Sequence, residues 1–158
     1  MRERLHLLSL DVYRRLPTRA RRQVVRTIAP TFTVGAMCFI QRADGRLLLV
    51  RHVYRQNWGV AGGLLERGEA AATGACREVR EEVGIEVDLI GEPAVVVAPE
   101  ARRVDVIFTA VMAIGSDPDE ARPCSPEISD VGWFPRDDLP ELQHETVGAM
   151  ATLERAGR

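Results

Sequence analysis

The chain alternates between short aliphatic runs and polar breaks, and their spacing predicts its elements. Thr31–Gln41 is rich in β-branched and apolar residues, and Arg46–Val53 carries Leu47-Leu48-Leu49-Val50 with no polar interruption. Both stretches predict strands, and Ala43-Asp44-Gly45 between them predicts a hairpin turn. Tyr54–Asn57 reads as a polar loop, after which Trp58–Leu65 runs through Gly62-Gly63, where a backbone turns tightly or comes close to something. Ala70–Val83 has no proline and one glycine, Gly74. At about 100° per residue Ala72, Cys76, Val79 and Val83 share one face of a helix, and Gly84 stands where a glycine stops one.

Beyond the helix, Glu86–Val97 is strand material broken by Gly91 and Pro93, and Pro99–Arg103 is a turn. Val104–Ala113 and Ile128–Phe134 predict two further strands, separated by the proline-containing, mobile surface loop Gly115–Pro126. Asp137–Leu142 reads as a short turn or helix and Glu145–Arg155 as a terminal helix. Strands on both sides of a central helix predict an α+β sandwich with a mixed sheet.

The first thirty residues differ in texture. Residues 3–16 place Leu5, Leu8, Val12 and Leu16 near one helical face, Pro17 interrupts, and Thr18 is placed to cap a second helix over Arg19–Ile28, closed by Pro30. This divides the chain into a helical arm, 1–30, and a main domain, 31–158. The arm carries a charge of +6 and the main domain −8, for a total of −2, and every basic residue is arginine. The lysine-free usage fits a GC-rich bacterial genome. Packing on the main domain or on a partner subunit is the expected role of the arm, ahead of contact with a membrane surface. An acidic main domain argues against nonspecific nucleic-acid binding. No apolar run is long enough for stable membrane insertion and no signal-peptide pattern is present, while Cys38, Cys76 and Cys124 are odd in number and lack a CxxC pair. These features predict a cytoplasmic protein with reduced cysteines, and a homodimer contacted through the arm is a further expectation.

The central helix carries the chemistry. Glu78, Glu81 and Glu82, at i, i+3 and i+4, gather on one face, where like charges repel unless a cation sits among them. Hard oxygen donors of this kind suit Mg2+ or Mn2+. Around them Gly63, Glu69, Arg77-Glu78-Val79, Glu81-Glu82 and Gly84-Ile85 fill every fixed position of the pattern GX5EX7REUXEEXGU, where U is aliphatic. On these residues the chain resembles the Nudix hydrolases. The resemblance implies an α/β/α sandwich with a central catalytic helix, and a Nudix pyrophosphohydrolase that uses a divalent metal to cleave a nucleoside diphosphate linked to another moiety. It implies that Glu78, Glu81 and Glu82 bind the metal, with the Gly63 turn close by, that Glu69 assists, and that Arg77 orients a glutamate through a salt bridge.

One departure is visible: Val60-Ala61-Gly62-Gly63 stands where the family often has Leu-Pro-Gly-Gly, which frees one φ angle but removes no ligand. Outside the signature, Glu127 is the first candidate for a general base or extra ligand and Glu100 the second. Arg51, Arg55 and Arg102 are candidates for neutralising a distal phosphate, and Trp58, Phe39 or Phe108 for stacking on a base. His52 and His144 fit no metal-binding spacing and read as structural or surface residues. The substrate expected is a small nucleotide: ADP-ribose-like, a nucleotide sugar, or a nucleoside triphosphate. In related enzymes a proline at about the offset of Pro99 goes with ADP-ribose cleavage. Two alternatives share the fold: an inactive nucleotide-binding sensor, which usually lacks the metal glutamates, and an isoprenoid-diphosphate isomerase, which needs a dedicated cysteine.

Overall fold

In the computed structural model, which describes residues 13–157, the two aliphatic runs become β1 (Thr33–Gln41) and β2 (Leu47–His52). Their side chains alternate between two cores. Cys38, Ile40, Leu48 and Val50 belong to one apolar cluster and Met37, Phe39, Leu47 and Leu49 to the other. Successive residues of a strand point to opposite faces, so an uninterrupted aliphatic run is what a sheet covered on both sides requires.

One cover is helix α2 (Ala71–Val83), which buries Val79 and Val83 against the first cluster. The other is helix α3 (His144–Arg155), which brings Ala149 and Leu153 to the second. Between them β1 runs parallel to β5 (Arg103–Met112) and antiparallel to β3 (Ala61–Leu64), β4 (Val87–Ala98) is antiparallel to β5, and β6 (Ile128–Phe134) is antiparallel to β2. The order is β4-β5-β1-β2-β6, with β3 paired to β1 off this path. This is the mixed sheet and α/β/α sandwich expected from the sequence. Because β1 and β2 share only the Gln41–Leu47 pair at their hairpin, the sheet opens between them, and β3 enters beside β1 there.

The described residues before Thr33 form a separate compact unit. Its helix α1 (Thr18–Ile28) has Pro17, not Thr18, at the N-cap and no side-chain cap bond. Thr18 is therefore the first helical residue rather than a cap. The helix expected over residues 3–16 lies for the most part outside the described residues. No helix among those described is long and apolar enough to cross a membrane.

Two local expectations change. Gly91 and Pro93 do not break the strand: β4 continues through a register shift between Ile90 and Ala94, an irregularity that accommodates a residue lacking an N–H. The buried stripe of α2 comprises Gly74, Ala75, Val79, Glu82 and Val83, while Ala72 is exposed. A count of apolar positions turned the helix away from its true face because one buried position is a glutamate. Asp137–Leu142 takes the turn alternative, with a single bridge at Leu142. The predicted C-terminal stop of α2 is present, with Gly84 at φ 75° and its N–H donating to the Arg80 carbonyl.

Gly62 is the tightest point of the sheet. Its φ is +153°, and a Cβ there would collide with the Ala36 carbonyl oxygen of β1. Gly62→Ala is expected to destabilise the protein by about 2 kcal/mol or more, measured by urea unfolding, whereas Gly45→Ala, in an open hairpin turn with nothing within 4 Å of the added carbon, is expected to cost about 1–2 kcal/mol from its positive φ alone.

Candidate active site

The site is assembled where β3 passes under α2. Gly62 donates its N–H to Glu82 Oε2 at 3.0 Å, which satisfies a carboxylate whose side chain is only 8% exposed. Gly63 comes so close to the helix that an added Cβ would lie 2.5 Å from Glu78 Oε1. The glycine pair thus seats two of the three signature glutamates, one through a donor and one through missing bulk.

Arg77 ties the rest together. Its Nε and Nη2 donate to the two oxygens of Glu69 at 2.8 and 2.9 Å. Its Nη1 donates to Glu78 Oε1 at 2.9 Å and to Glu81 Oε2 at 3.1 Å, and Nη2 also reaches the Leu64 carbonyl at 3.3 Å. Glu69 additionally accepts from the Glu66 N–H, 2.9 Å away. The Arg77 hydrogen bonds, followed by that of Glu66, hold the Glu69 carboxyl down to about 2. Glu78 moves the other way: burial raises its pKa despite Arg77, and the neighbouring Glu82 and Glu81 add to the rise. Burial, more than its acidic neighbours, therefore disfavours the charged form of Glu78.

A cavity of about 470 Å³ opens beside these groups. Of the residues singled out in the sequence it is lined by Glu78, Glu81, Glu82, Gly63, Glu127 and Arg55. Glu127 accepts from Tyr54 Oη at 3.3 Å, and its carbonyl receives the Val53 N–H at 2.8 Å. The Tyr54 hydroxyl is pushed up, first by burial and then by the charge of Glu127. The loop before Glu127 is pinned to the end of α2, since Cys124 N–H donates to the Glu82 carbonyl and Arg122 N–H to that of Val83. Arg55 pairs with Glu145 at 3.6 Å.

Other candidates stand elsewhere. Glu69 and Arg77 support the glutamates without lining the cavity. Arg51 is paired with Asp130 at 2.8 Å and lies over the Trp58 ring, which meets Phe134 edge-on at 4.9 Å. Neither Arg51 nor Trp58 lines the cavity. Arg102 sits in the exposed turn before β5 at φ 48°, with Glu100 in the same turn. Phe39 and Phe108 are core residues, 1% and 7% exposed, and do not present a stacking surface. Conversely, the cavity includes His52, Tyr54, Arg103, Gln143 and Glu145, none of which the sequence marked as part of a site.

His52 differs most from expectation. The register shift between Arg51 and His52, a type of irregularity that re-aims a side chain, accompanies its turn into the cavity, where Nε2 lies 3.4 Å from Glu82 Oε1. Its Nδ1 is buried without a hydrogen-bond partner among the described residues. No spacing rule points to it, because its partner is thirty residues away in sequence.

Three carboxylates and the backbone of Gly62-Gly63 on one cavity wall are a hard-oxygen donor set, which fits a divalent cation. Among the described residues no three His, Cys, Asp or Glu side chains stand in a ready-made ligand arrangement, and Arg77 spans Glu78 and Glu81. The donor chemistry fits the ion, and these carboxylates would reorient around it.

Comparison with known proteins agrees with this fold. The model of the NUDIX domain matches residues 31–153. A MutT-like protein of Streptomyces ambofaciens is 30% identical over 133 residues, covering 83% of each chain. Among solved structures, a MutT NUDIX hydrolase from Burkholderia pseudomallei is 29% identical with a TM-score of 0.60, over 77% of this chain and 97% of that one. A NUDIX hydrolase from Nitrosomonas europaea superposes with a TM-score of 0.68 at 24% identity, covering 80% of this chain and 73% of its own.

The Glu69–Arg77 pair has a pH signature. A depressed carboxyl contributes stability that is present above its unfolded value and lost as pH falls through the folded one. In the wild type this loss is expected to run from about 4.5 down to about 2. In Arg77→Gln only the Glu66 N–H still favours the Glu69 carboxylate, so thermal unfolding followed against pH should show a smaller contribution from Glu69 and a shallower acid side of the stability profile between those two values.

Proposed function

The chain belongs to the Nudix family of pyrophosphohydrolases, and on that premise we propose that it hydrolyses a pyrophosphate bond in a nucleoside diphosphate linked to another moiety. The observation that carries this reading is the convergence of Glu78, Glu81 and Glu82 on one cavity wall in a cavity that also holds Glu127. Water attacks one phosphorus, the bridging P–O bond breaks, and two phosphate-containing fragments leave.

A divalent cation, Mg2+ or Mn2+, held by Glu78, Glu81 and Glu82 beside the Gly63 backbone, would supply charge neutralisation and polarisation of phosphorus. The chain does the rest. Gly62 N–H fixes one oxygen of Glu82, and His52 Nε2 stands 3.4 Å from the other, which faces the cavity. Arg77 keeps Glu78 and Glu81 aligned, and the doubly bonded Glu69 keeps Arg77 aligned. Glu127 is the residue we assign as base for the attacking water, with Tyr54 holding its carboxylate by one oxygen. Placing such groups on a helix and on pinned loops limits the reorganisation the reaction demands.

The substrates that fit are ADP-ribose-like compounds, nucleotide sugars and nucleoside triphosphates. Pro99, the sequence pointer to ADP-ribose, is exposed at the turn before β5 and does not line the cavity, so it reads as a turn residue. An isomerase on this fold would need a reactive cysteine. Cys38 is fully buried with its thiol pushed up to about 12 by that burial, and neither it nor Cys76 lines the cavity. A sensor that has lost its glutamates is not what these residues describe.

The deciding experiment is a phosphate-release panel, with Mg2+ and with Mn2+, over ADP-ribose, nucleotide sugars, dinucleoside polyphosphates and nucleoside triphosphates. At least one compound is expected to turn over, with EDTA abolishing the activity. Glu82→Gln should lower kcat by at least about a hundredfold with the circular dichroism spectrum unchanged. Turnover that survives both treatments would remove the proposed mechanism.

A further inference from the structure

Two arginines line the cavity, and they are held differently. Arg55 makes one long contact with Glu145, and both side chains are about half exposed. Arg103, the first residue of β5, has a partner built for it. Asp105 stands two residues along the same strand, hence on the same face, and is 7% exposed. Both its oxygens accept from Arg103 Nε, at 2.8 and 2.9 Å. That arrangement engages only the Nε of the guanidinium and leaves the two Nη groups without a hydrogen-bond partner among the described residues.

Space for the pair comes from β1. Gly35 is in register with Asp105, and a Cβ on it would lie 2.6 Å from Asp105 Oδ1, 2.9 Å from Arg103 Nη2 and 3.1 Å from the Gly63 carbonyl oxygen. Gly35 has no positive φ, so its missing side chain, not its backbone freedom, is what the site uses. The same few ångströms therefore hold the free end of Arg103 and the backbone of Gly63, and Gly63 on its other side abuts Glu78. A salt bridge kept only for stability gains little and does not need a buried acid. A buried acid that locks the Nε of a guanidinium and frees its Nη groups is an arrangement for presenting donors to a ligand.

We propose that Arg103 binds a phosphate of the substrate, the one next along from the phosphate beside the glutamates of α2. Asp105 is its positioning residue and Gly35 the space that admits the pair. The inference rests on the hydrolase reading and deepens it. The substrate places at least two linked phosphates in the cavity, one beside Glu78 and Glu82 and the next on the Nη groups of Arg103.

The test compares AMP with α,β-methylene-ADP, whose phosphate bridge resists hydrolysis, by calorimetric titration of the full chain in Mg2+. Wild type is expected to prefer the diphosphate. Arg103→Gln should reduce that preference by about ten- to a hundredfold, the worth of a charge-assisted hydrogen bond. Arg103→Lys, which keeps the charge but cannot pair with Asp105 and fork at once, should reduce it by at least about threefold. With the substrate found in the panel, the loss should fall on KM, with kcat within about threefold of wild type. Arg136→Gln, on an exposed turn, should leave the preference unchanged. Melting temperatures establish that each variant is folded; if Arg103→Gln is not, Arg103→Lys decides. A diphosphate preference absent from wild type, or kept within about twofold in the folded Arg103 variants, overturns the proposal. If wild type prefers the diphosphate through Arg103 yet hydrolyses nothing in the panel, the hydrolase reading fails and the binding role of Arg103 stands.

Discussion

Carboxylates crowded on two turns of one helix must be neutralised before anything else about this protein can work. Like charges at i, i+3 and i+4 destabilise a helix when exposed, and burying one of them adds a desolvation cost. Here Glu82 is buried and Glu78 nearly so, while Glu81 reaches solvent. Arg77 stands at the centre of the answer, with hydrogen bonds to three glutamates and one carbonyl. A lysine could match its charge but not its planar set of donors, which meet Glu69 with two of them and Glu78 and Glu81 with a third. Glu69 does more than add charge: by occupying one whole edge of the guanidinium it decides which way the other edge faces. The residue that best explains the spacing of the signature is therefore one that does not line the cavity at all.

The sheet supplies the second constraint. Gly35, Gly62 and Gly63 lie on β1 and β3 within one short stretch of pairing, and each lacks a side chain for a different reason. Gly62 has no room against the Ala36 carbonyl, Gly63 admits the Glu78 carboxylate, and Gly35 admits Arg103 with Asp105. Close approach of backbone to charged groups requires this, since any Cβ would push the groups out of register with their partners. Fold and site are coupled here: the strand pairing that places α2 over the sheet also sets the width of the cavity.

How much of this was legible in the sequence follows from the range of each signal. The strands and α2 were readable because their signals are local: unbroken aliphatic and β-branched runs, a proline-free stretch and a terminal glycine. The glutamates and Arg77 were readable because the helix carries them at fixed offsets. Ala72 was misread as buried because Glu82 occupies a core-facing position, which the long-range partners Gly62 and His52 make tolerable. His52, Tyr54, Arg103 and Gln143 come from four different elements or loops, and no sequence spacing relates positions that meet only through folding. The arginines show the limit most plainly. Arg102 and Arg103 are indistinguishable in composition, but the turn at φ 48° leaves the first exposed while the pleat of β5 sends the second into the cavity.

The charge balance of the cavity bears on how the proposed substrate enters. Glu78, Glu81, Glu82, Glu127 and Glu145 line it against Arg55 and Arg103, and both arginines are already paired with acids. A cavity so weighted repels a phosphorylated ligand. Bound cations are often the largest local charge in such sites and reverse the local field. Under the proposed function, nucleotide affinity and divalent-cation affinity are then one linked quantity, each raising the other by the same factor. The linkage acts unequally along the cavity. It is strongest beside α2, where the uncompensated carboxylates are, and weakest at Arg103, whose charge is offset by Asp105 but whose donors remain available. An anion held at Arg103 depends on hydrogen-bond geometry more than on net charge, which is why the fixed orientation of that guanidinium matters more than its formal charge.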